Sequence, residues 1–230
     1  MTKDEYFTFD TIEDVVEDIK NGQMVIVLDS EERENEGDLV AAAESITTEQ
    51  MAFMIRYTSG LICAPMAPHI ASRLDLRQMV SKNTDANGTA FTVTVDSFDP
   101  SLSTGISAHD RALTCRQLAS PKARAGDFRR PGHIAPLRER DGGLTERRGH
   151  TEATVALCRL AGRTEVGVIG EMIEEGLQIE GEPKISGPNG MLRRDGCLQF
   201  GRRWGIKVCT TEDLVSYLKK KDPSKLLSTR

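Results

Sequence analysis

Glu34, Glu36 and Asp38 fall at alternate positions of "DSEERENEGDLV", residues 29–40, a stretch that follows the apolar run "MVIVL" and also carries Glu31, Glu32 and Arg33. Alternate side chains of an extended segment share a face. Three like charges on one face repel unless a cation sits among them. Gly37 permits a tight backbone excursion beside them. Read alone, the stretch suits a cation-binding loop or a solvated turn in which Arg33 pairs with a neighbouring acid. A second cluster is "RRGHTEA", where Arg147, Arg148 and Gly149 precede His150, Thr151 and Glu152 at the start of a helical pattern. Free amides at a helix start, a hydroxyl and an arginine together make a phosphate site, and His150 is a candidate metal ligand. The other reading is an ordinary helix cap flanked by exposed arginines.

Three further stretches carry groups able to move protons or hold anions. His133 follows a Pro-Gly turn in "RRPGHIAPL" and is one of four histidines in the chain, two of them in glycine-flanked loops. An imidazole there serves acid–base chemistry near neutral pH or simply faces solvent. Glu171 ends the apolar run "VGVIGEMI". A carboxylate entering a buried strand is costly unless paired or ligating, and desolvation would bring its pKa toward a usable value. Turned to solvent, it needs no such role. In "STGISAHD", Ser103, Thr104 and Ser107 surround Gly105, giving a second anion contact or a capped helix.

The elements that must position these groups are legible in outline. "TIEDVVEDIKNG" places Ile12, Val15, Val16 and Ile19 on one helical stripe, with Gly22 as the stop. "MVIVL" and "LVAAAE" read as strands on either side of the acidic loop. "TTEQMAFMIRYTSG" reads as a helix ending near Gly60, and "LICAPM" as a short strand. "NTDANGTAFTVTVD" predicts an Asn87-Gly88 turn and then a strand with Phe91, Val93 and Val95 on one face. Ser107 and Asp110 resemble a capping box for a helix closed by Pro121. Residues 122–149, rich in Arg, Gly and Pro, read as a long loop. "HTEATVALCRLAG" is a helix with Ala153, Ala156, Leu157, Leu160 and Ala161 as its apolar stripe, ended by Gly162. "IKVCTTEDLVSYLKKK" reads as a strand and a C-terminal helix. Strands and helices mix without strict βαβ alternation, which predicts one α+β domain, residues 1–230, with helices packed on a mixed sheet.

Composition limits the alternatives. A chain of 230 residues, 38% hydrophobic and 28% charged, builds a sizeable core. Net charge −5 implies no general attraction to nucleic acid or membrane. No stretch approaches a membrane span, and "MTKDEYFTFD" lacks the apolar segment of a secretory signal, so a cytoplasmic protein is expected. The five cysteines (Cys63, Cys115, Cys158, Cys197, Cys209) are scattered with no C-x-x-C, which argues against a disulfide framework or a structural zinc site.

Taken together, "DSEERENEGDLV", "TSGLICAPM", "NTDANGTAFTVTVD", "TGISAHDRALTCRQLA", "RRPGHIAPL", "RRGHTEA" and the "GEM" strand resemble the 3,4-dihydroxy-2-butanone 4-phosphate synthase family of riboflavin biosynthesis, and they stand in that family's order. The tail "RRDGCLQFGRRWGIKVCTTEDLVSYL" resembles the fungal, monofunctional branch. Many bacterial relatives fuse a zinc-dependent cyclohydrolase domain behind this one, for which this chain is too short. The resemblance implies a three-layer α+β fold related to the YrdC-like group. It implies conversion of D-ribulose 5-phosphate to L-3,4-dihydroxy-2-butanone 4-phosphate and formate through a metal-stabilised enediolate, dehydration and skeletal rearrangement. The implied cofactor is Mg2+, with Mn2+ a second candidate, held by Glu34 and His150. Arg33, Asp38, Thr89, Thr104, Glu171 and the segment Arg147, Arg148, Gly149, His150, Thr151 are the implied substrate contacts. His133, Glu171, Asp38 and Glu36 are the implied acid–base groups. Gly170 departs from bacterial relatives, which often carry Cys before the glutamate. Cys63 matches a family position near the site, either as a reactive thiol or as a small core residue. The family is homodimeric, so sites at a subunit interface are expected, with no nucleic acid or membrane partner. Two other classes compete: a YrdC-like nucleotide- or RNA-binding transferase using residues 122–148, and a non-catalytic metal- or RNA-binding module.

Overall fold

Ile12, Val15 and Ile19 recur at helical spacing, and all three are buried along α1 (Ile12–Lys20). Thr11 caps this helix by accepting from the amide of Asp14. The computed structural model describes residues 8–174 and 190–221, so most of the N-terminal stretch read above for a signal lies outside the described residues. The chain continues through β1 (Val25–Leu28), β2 (Gly37–Ala42), α2 (Thr48–Tyr57), β3 (Cys63–Met66), α3 (Pro68–Arg73), β4 (Val95–Ser97) and α4 (Ala108–Ala119). β5 (Phe128–Arg138), α5 (His150–Leu160), β6 (Gly167–Glu171), α6 (Arg194–Trp204), β7 (Lys207–Thr210) and α7 (Thr211–Lys221) complete it.

The strands form one mixed sheet in the order β4-β5-β3-β6-β2-β1-β7. β1 runs parallel to β7 and β3 parallel to β5; the other neighbours are antiparallel. Both faces are covered. Along β1, Val25 and Val27 join one apolar cluster with α1, α5 and α7, while Ile26 and Leu28 join the other with α2, α3, α4 and α6. Leu39 and Ala41 alternate with Val40 and Ala42 in the same way on β2. That double burial explains why these strands read as continuous apolar runs. The result is the expected α+β fold in three layers.

Three expectations change. Residues 122–149 are not one long loop: β5 occupies eleven of them, between β4 and β3. Its partners, Cys63–Met66 and Val95–Ser97, are remote in sequence, and Pro131 and Gly132 break the local pattern that would have announced a strand. The strand predicted over Phe91–Val95 shifts to Val95–Ser97, with Phe91 and Thr92 making only isolated bridges to Leu137 and Gln78. Two helices were not anticipated: α3, a short helix opened by Pro68, and α6, whose two glycines weaken its helical signal.

Candidate active site

Antiparallel pairing sets Asp38 of β2 opposite Glu171 of β6. Val40, Ala42 and Ile169 belong to the cluster under α5, so by strand alternation Asp38 and Glu171 point to that same side. Two carboxylates directly opposed in a ladder are unfavourable by themselves and mark the position as something other than sheet construction. Cys63 of β3 stands opposite Ile169 on this face. The N-terminus of α5 arrives above, bringing His150 and Thr151. These groups, with Arg33, Glu34, Thr89 and Arg147, line one cavity open to solvent.

The acidic loop is organised from beneath by Asp29, whose role the sequence did not announce. Asp29 is buried, and its carboxylate accepts from the amides of Glu34 at 3.1 Å and Glu36 at 3.0 Å and from Arg33 Nη1 at 2.7 Å. Asn35 adopts φ 54°, in the left-handed region that Asn tolerates. The three acids therefore do not share an extended face. Glu34 and Asp38 line the cavity, and Glu36 does not. Burial and the charges of Glu171 and Glu34 raise the Glu36 carboxyl above its ordinary value.

Glu34 and His150 meet although far apart in the chain: Glu34 Oε2 lies 3.5 Å from His150 Nδ1. Arg33 Nη1 donates to the same Oε2 at 2.5 Å, and Asn87 Nδ2 donates to Oε1 at 2.7 Å. Partial burial works against ionisation of Glu34, but the His150 ring and the Arg33 guanidinium outweigh it and hold the carboxyl at about 2. Asp38 Oδ1 lies 3.7 Å from His150 Nδ1. Burial pushes the Asp38 carboxyl up to about 7, with Glu171 and Glu34 adding to the shift and His150 opposing it. Burial alone would favour a neutral His150, yet the carboxylates of Asp38, Glu34 and Asp29 raise the ring to about 9.

This donor set fits a hard divalent cation. Asp38 Oδ1, which faces His150 Nδ1 at 3.7 Å, is buried without a hydrogen-bond partner. Asp29, Glu34 and His150 each offer one donor atom within 4.8 Å of the others. Adjacent ligands of an octahedral magnesium stand roughly 3 Å apart, close to the Glu34–His150 separation. The oxygens of Asp29 receive three hydrogen bonds and those of Glu34 two, so Asp29 holds Glu34 in place, and Glu34 and His150 are the residues that could hold a cation.

Of the basic segment, Arg147 and Thr151 reach the cavity and Arg148 is exposed outside it. Arg147 is closely engaged: Nη1 meets buried Glu152 at 2.6 Å, Nη2 donates to Thr89 Oγ1 at 2.9 Å, and Nε donates to the Asn87 carbonyl at 3.0 Å. Glu152 and Asn87 thus join the site as positioning groups. Gly149 is the N-cap of α5 and does not line the cavity, but a Cβ there would collide with Arg147 Nη1. Cys63 is a wall residue: burial and the nearby Asp38 and Glu171 push its thiol far up, so it is not a thiolate, against the reactive-thiol reading.

His133 and Thr104 are not brought to this cavity. His133 lies on β5 with Nδ1 2.7 Å from Oδ2 of Asp96 on β4. Gly105, next to Thr104, packs directly onto that pair, and its amide donates to buried Asp110. The predicted residues therefore fall into two clusters, one around Glu34, Asp38, His150 and Glu171 and one around His133.

Comparison with known proteins decides the family. A family model described as 3,4-dihydroxy-2-butanone 4-phosphate synthase matches residues 13–217. The chain belongs to this family. A 3,4-dihydroxy-2-butanone 4-phosphate synthase of Pyricularia oryzae is 58% identical over 92% of this chain and 91% of its own length. That of Saccharomyces cerevisiae is 46% identical over 92% of this chain and the whole of its own. The riboflavin biosynthesis protein RibBA of Bacillus cytotoxicus is 47% identical, with the match covering 49% of its length. A crystal structure of a family member in complex with two magnesium ions superposes with a TM-score of 0.90 at 57% identity, covering 93% of this chain and 99% of that one. The chain is thus an enzyme of the 3,4-dihydroxy-2-butanone 4-phosphate synthase class in riboflavin biosynthesis. Among the described residues no helix is long and apolar enough to cross a membrane.

Proposed function

We propose that this chain converts D-ribulose 5-phosphate to L-3,4-dihydroxy-2-butanone 4-phosphate and formate in the cytoplasm, as a homodimer dependent on Mg2+ and served also by Mn2+. The observation that carries the reading is the convergence of Glu34, Asp38, His150 and Glu171 on one cavity in a member of this family. Glu34 and His150 would hold the cation, and the relative with two bound magnesium ions is the precedent for a pair. A bound divalent cation supplies positive charge to adjacent substrate oxygens as they become anionic. Imidazole is an unusual ligand for magnesium, which leaves the remaining positions to water and substrate.

The chain's own groups then account for the proton traffic. Removal of the C3 proton gives an enediol, the C1 hydroxyl leaves as water, C4 shifts out of the skeleton, and water returned at C4 releases it as formate. Atoms balance with no net water. Asp38 and Glu171, facing each other across β2 and β6, take and return protons. The value of about 7 for Asp38 suits a group that must do both near neutral pH. Thr151, the uncapped first-turn amides of α5 and the guanidinium of Arg147 hold the phosphate end and fix the reacting carbons. Arg33 keeps Glu34 turned into the cavity.

His133 and Thr104 belong to the same site if a second copy supplies them. Two clusters of proton-handling groups on one chain, separate from each other, are explained by an isologous dimer in which each copy completes the other's cavity. The direct test is formate release from ribulose 5-phosphate with and without EDTA. Formate is expected, lost on chelation and restored by Mg2+. No formate, or formate indifferent to exhaustive chelation, overturns the reading.

A further inference from the structure

Both oxygens of one buried carboxylate are spent on a single half-exposed histidine. Asp96 is 6% exposed. Its Oδ1 accepts the His133 backbone amide at 2.8 Å, and its Oδ2 lies 2.7 Å from His133 Nδ1. The His133 ring keeps 39% of its surface open. We propose that Asp96 is a positioning residue for the reaction, holding His133 in the tautomer protonated at Nδ1 so that Nε2 is the nitrogen that exchanges a proton with substrate. This rests on the role given to His133 above.

The argument is one of donors and acceptors. An ionised carboxylate only accepts, so the ring nitrogen facing it must carry a proton. In the neutral ring the other nitrogen is then the acceptor. A carboxylate needed only to anchor β5 would satisfy the backbone amide and could leave the ring to water. Here the ring is fixed as well, and the surroundings are built around that fixation. Gly132 lies so close to β4 that a Cβ would collide with the Val95 carbonyl carbon and the Asp96 nitrogen. Its amide donates to Thr94 Oγ1 at 3.1 Å. From the other side Gly105, at φ 95°, covers the pair, and a Cβ there would strike Asp96 Oδ2 and His133 Nδ1. That glycine is itself held by Asp110, 1% exposed, whose Oδ2 accepts from the Gly105 amide at 2.9 Å and from Ser103 Oγ at 2.6 Å. Ordering a side chain that could otherwise rotate in solvent costs entropy. Three segments converge to do so, and pre-set orientation and tautomer are what a proton-transferring imidazole requires.

The test combines 15N spectroscopy of the histidines with kinetics on the full-length protein. The chain has four histidines, and His133 is assigned by the signals lost in His133→Ala. Wild-type protein, at a pH where the ring is neutral, is expected to show a protonated Nδ1 and an unprotonated Nε2. A protonated Nε2 overturns the proposal without recourse to any Asp96 variant. Asp96→Asn keeps the shape but offers an amide that can donate to Nδ1, so the Nε2–H tautomer should grow. kcat should fall roughly 100-fold or more with KM changed only a few-fold. A slow Asp96→Asn enzyme with the wild-type tautomer would mean a structural role only and overturns the proposal. If His133→Ala is slow while Asp96→Asn turns over normally, the positioning proposal fails and the reading of His133 stands. If His133→Ala itself keeps normal turnover, both fail together.

Discussion

At His150 the folded protein holds a proton that a metal bound there would have to displace. The neighbouring carboxylates keep the ring at about 9, above its ordinary 6.5, so it is charged at pH 7. A protonated ring has no lone pair to offer at Nδ1. Cation affinity should therefore rise with pH and level off above about 9. Calorimetry of Mg2+ binding at pH 7 in buffers of different ionisation enthalpy is expected to report proton release, reduced in His150→Ala, where the Asp38 carboxyl at about 7 is the remaining source. For folding the signs are opposite at His150 and Glu34, the two proposed ligands. The raised His150 value contributes stability that is complete below 6.5 and disappears as pH rises through about 9. The lowered Glu34 value contributes above 4.5 and is lost as pH falls toward about 2. Glu34→Gln and His150→Ala should each lower cation affinity and activity together, with partial recovery at excess Mg2+ or Mn2+ by mass action. Glu171→Gln should lose roughly 10²–10⁴-fold in turnover, as expected for a proton-transfer group. Excess metal should not restore it; a metal-rescued Glu171→Gln would reassign this residue as a ligand.

The acidic loop is an element held at both ends. Asp29 gathers its amides from inside, and residues 191–193 brace it from outside. The Leu192 carbonyl accepts from the Gly37 amide at 3.3 Å, and Arg193 Nη1 donates to the carbonyls of Glu34 at 3.3 Å and Asn35 at 3.1 Å. Met172, one residue past Glu171, ties into the same ladder through Gly37 and Leu192. The segment before α6 thus sets the position of Glu34 relative to β2 and β6. Arg193→Ala removes two hydrogen bonds from a charged donor, worth about 1.5–3 kcal/mol at the most for a buried pair and less at this exposed position. The expected outcome is a several-fold weaker Mg2+ affinity and faster hydrogen exchange over residues 29–40, with kcat at saturating Mg2+ largely kept. Unchanged exchange in the loop would show that Asp29 suffices to hold it.

At the level of the whole molecule the two clusters make a prediction that a single-chain site cannot meet. Hybrid dimers of one His133→Ala chain and one Glu171→Gln chain would contain one site with both lesions and one with neither. Purified hybrids should retain about half of wild-type activity, although each parent homodimer is nearly inactive. Inactive hybrids, or a fully active monomer in sedimentation, would remove the shared site.

The apolar periods of α1, α5 and the strands β1, β2 and β6 are local properties, so their sequence alone determined these elements and the α+β class, while the three layers followed only from the family resemblance. The ordered motifs likewise determined the family, because "ENEGD", "RRGHT" and "GEM" keep their residues and order independently of how they meet in space. What the sequence could not determine were relations between remote segments. β5 was hidden because its pairing partners lie at residues 63–66 and 95–97. Asp29 carries no signal of its own in the sequence; the left-handed Asn35 curls the loop over it, and that curl also separates Glu36 from Glu34 and Asp38. Arg147 suggested a phosphate ligand by type, but only folding revealed Glu152 and Thr89 as its partners. Side-chain chemistry is fixed residue by residue. Distance, burial and the pKa values that follow from them arise only when the sheet brings β2, β6 and the start of α5 together.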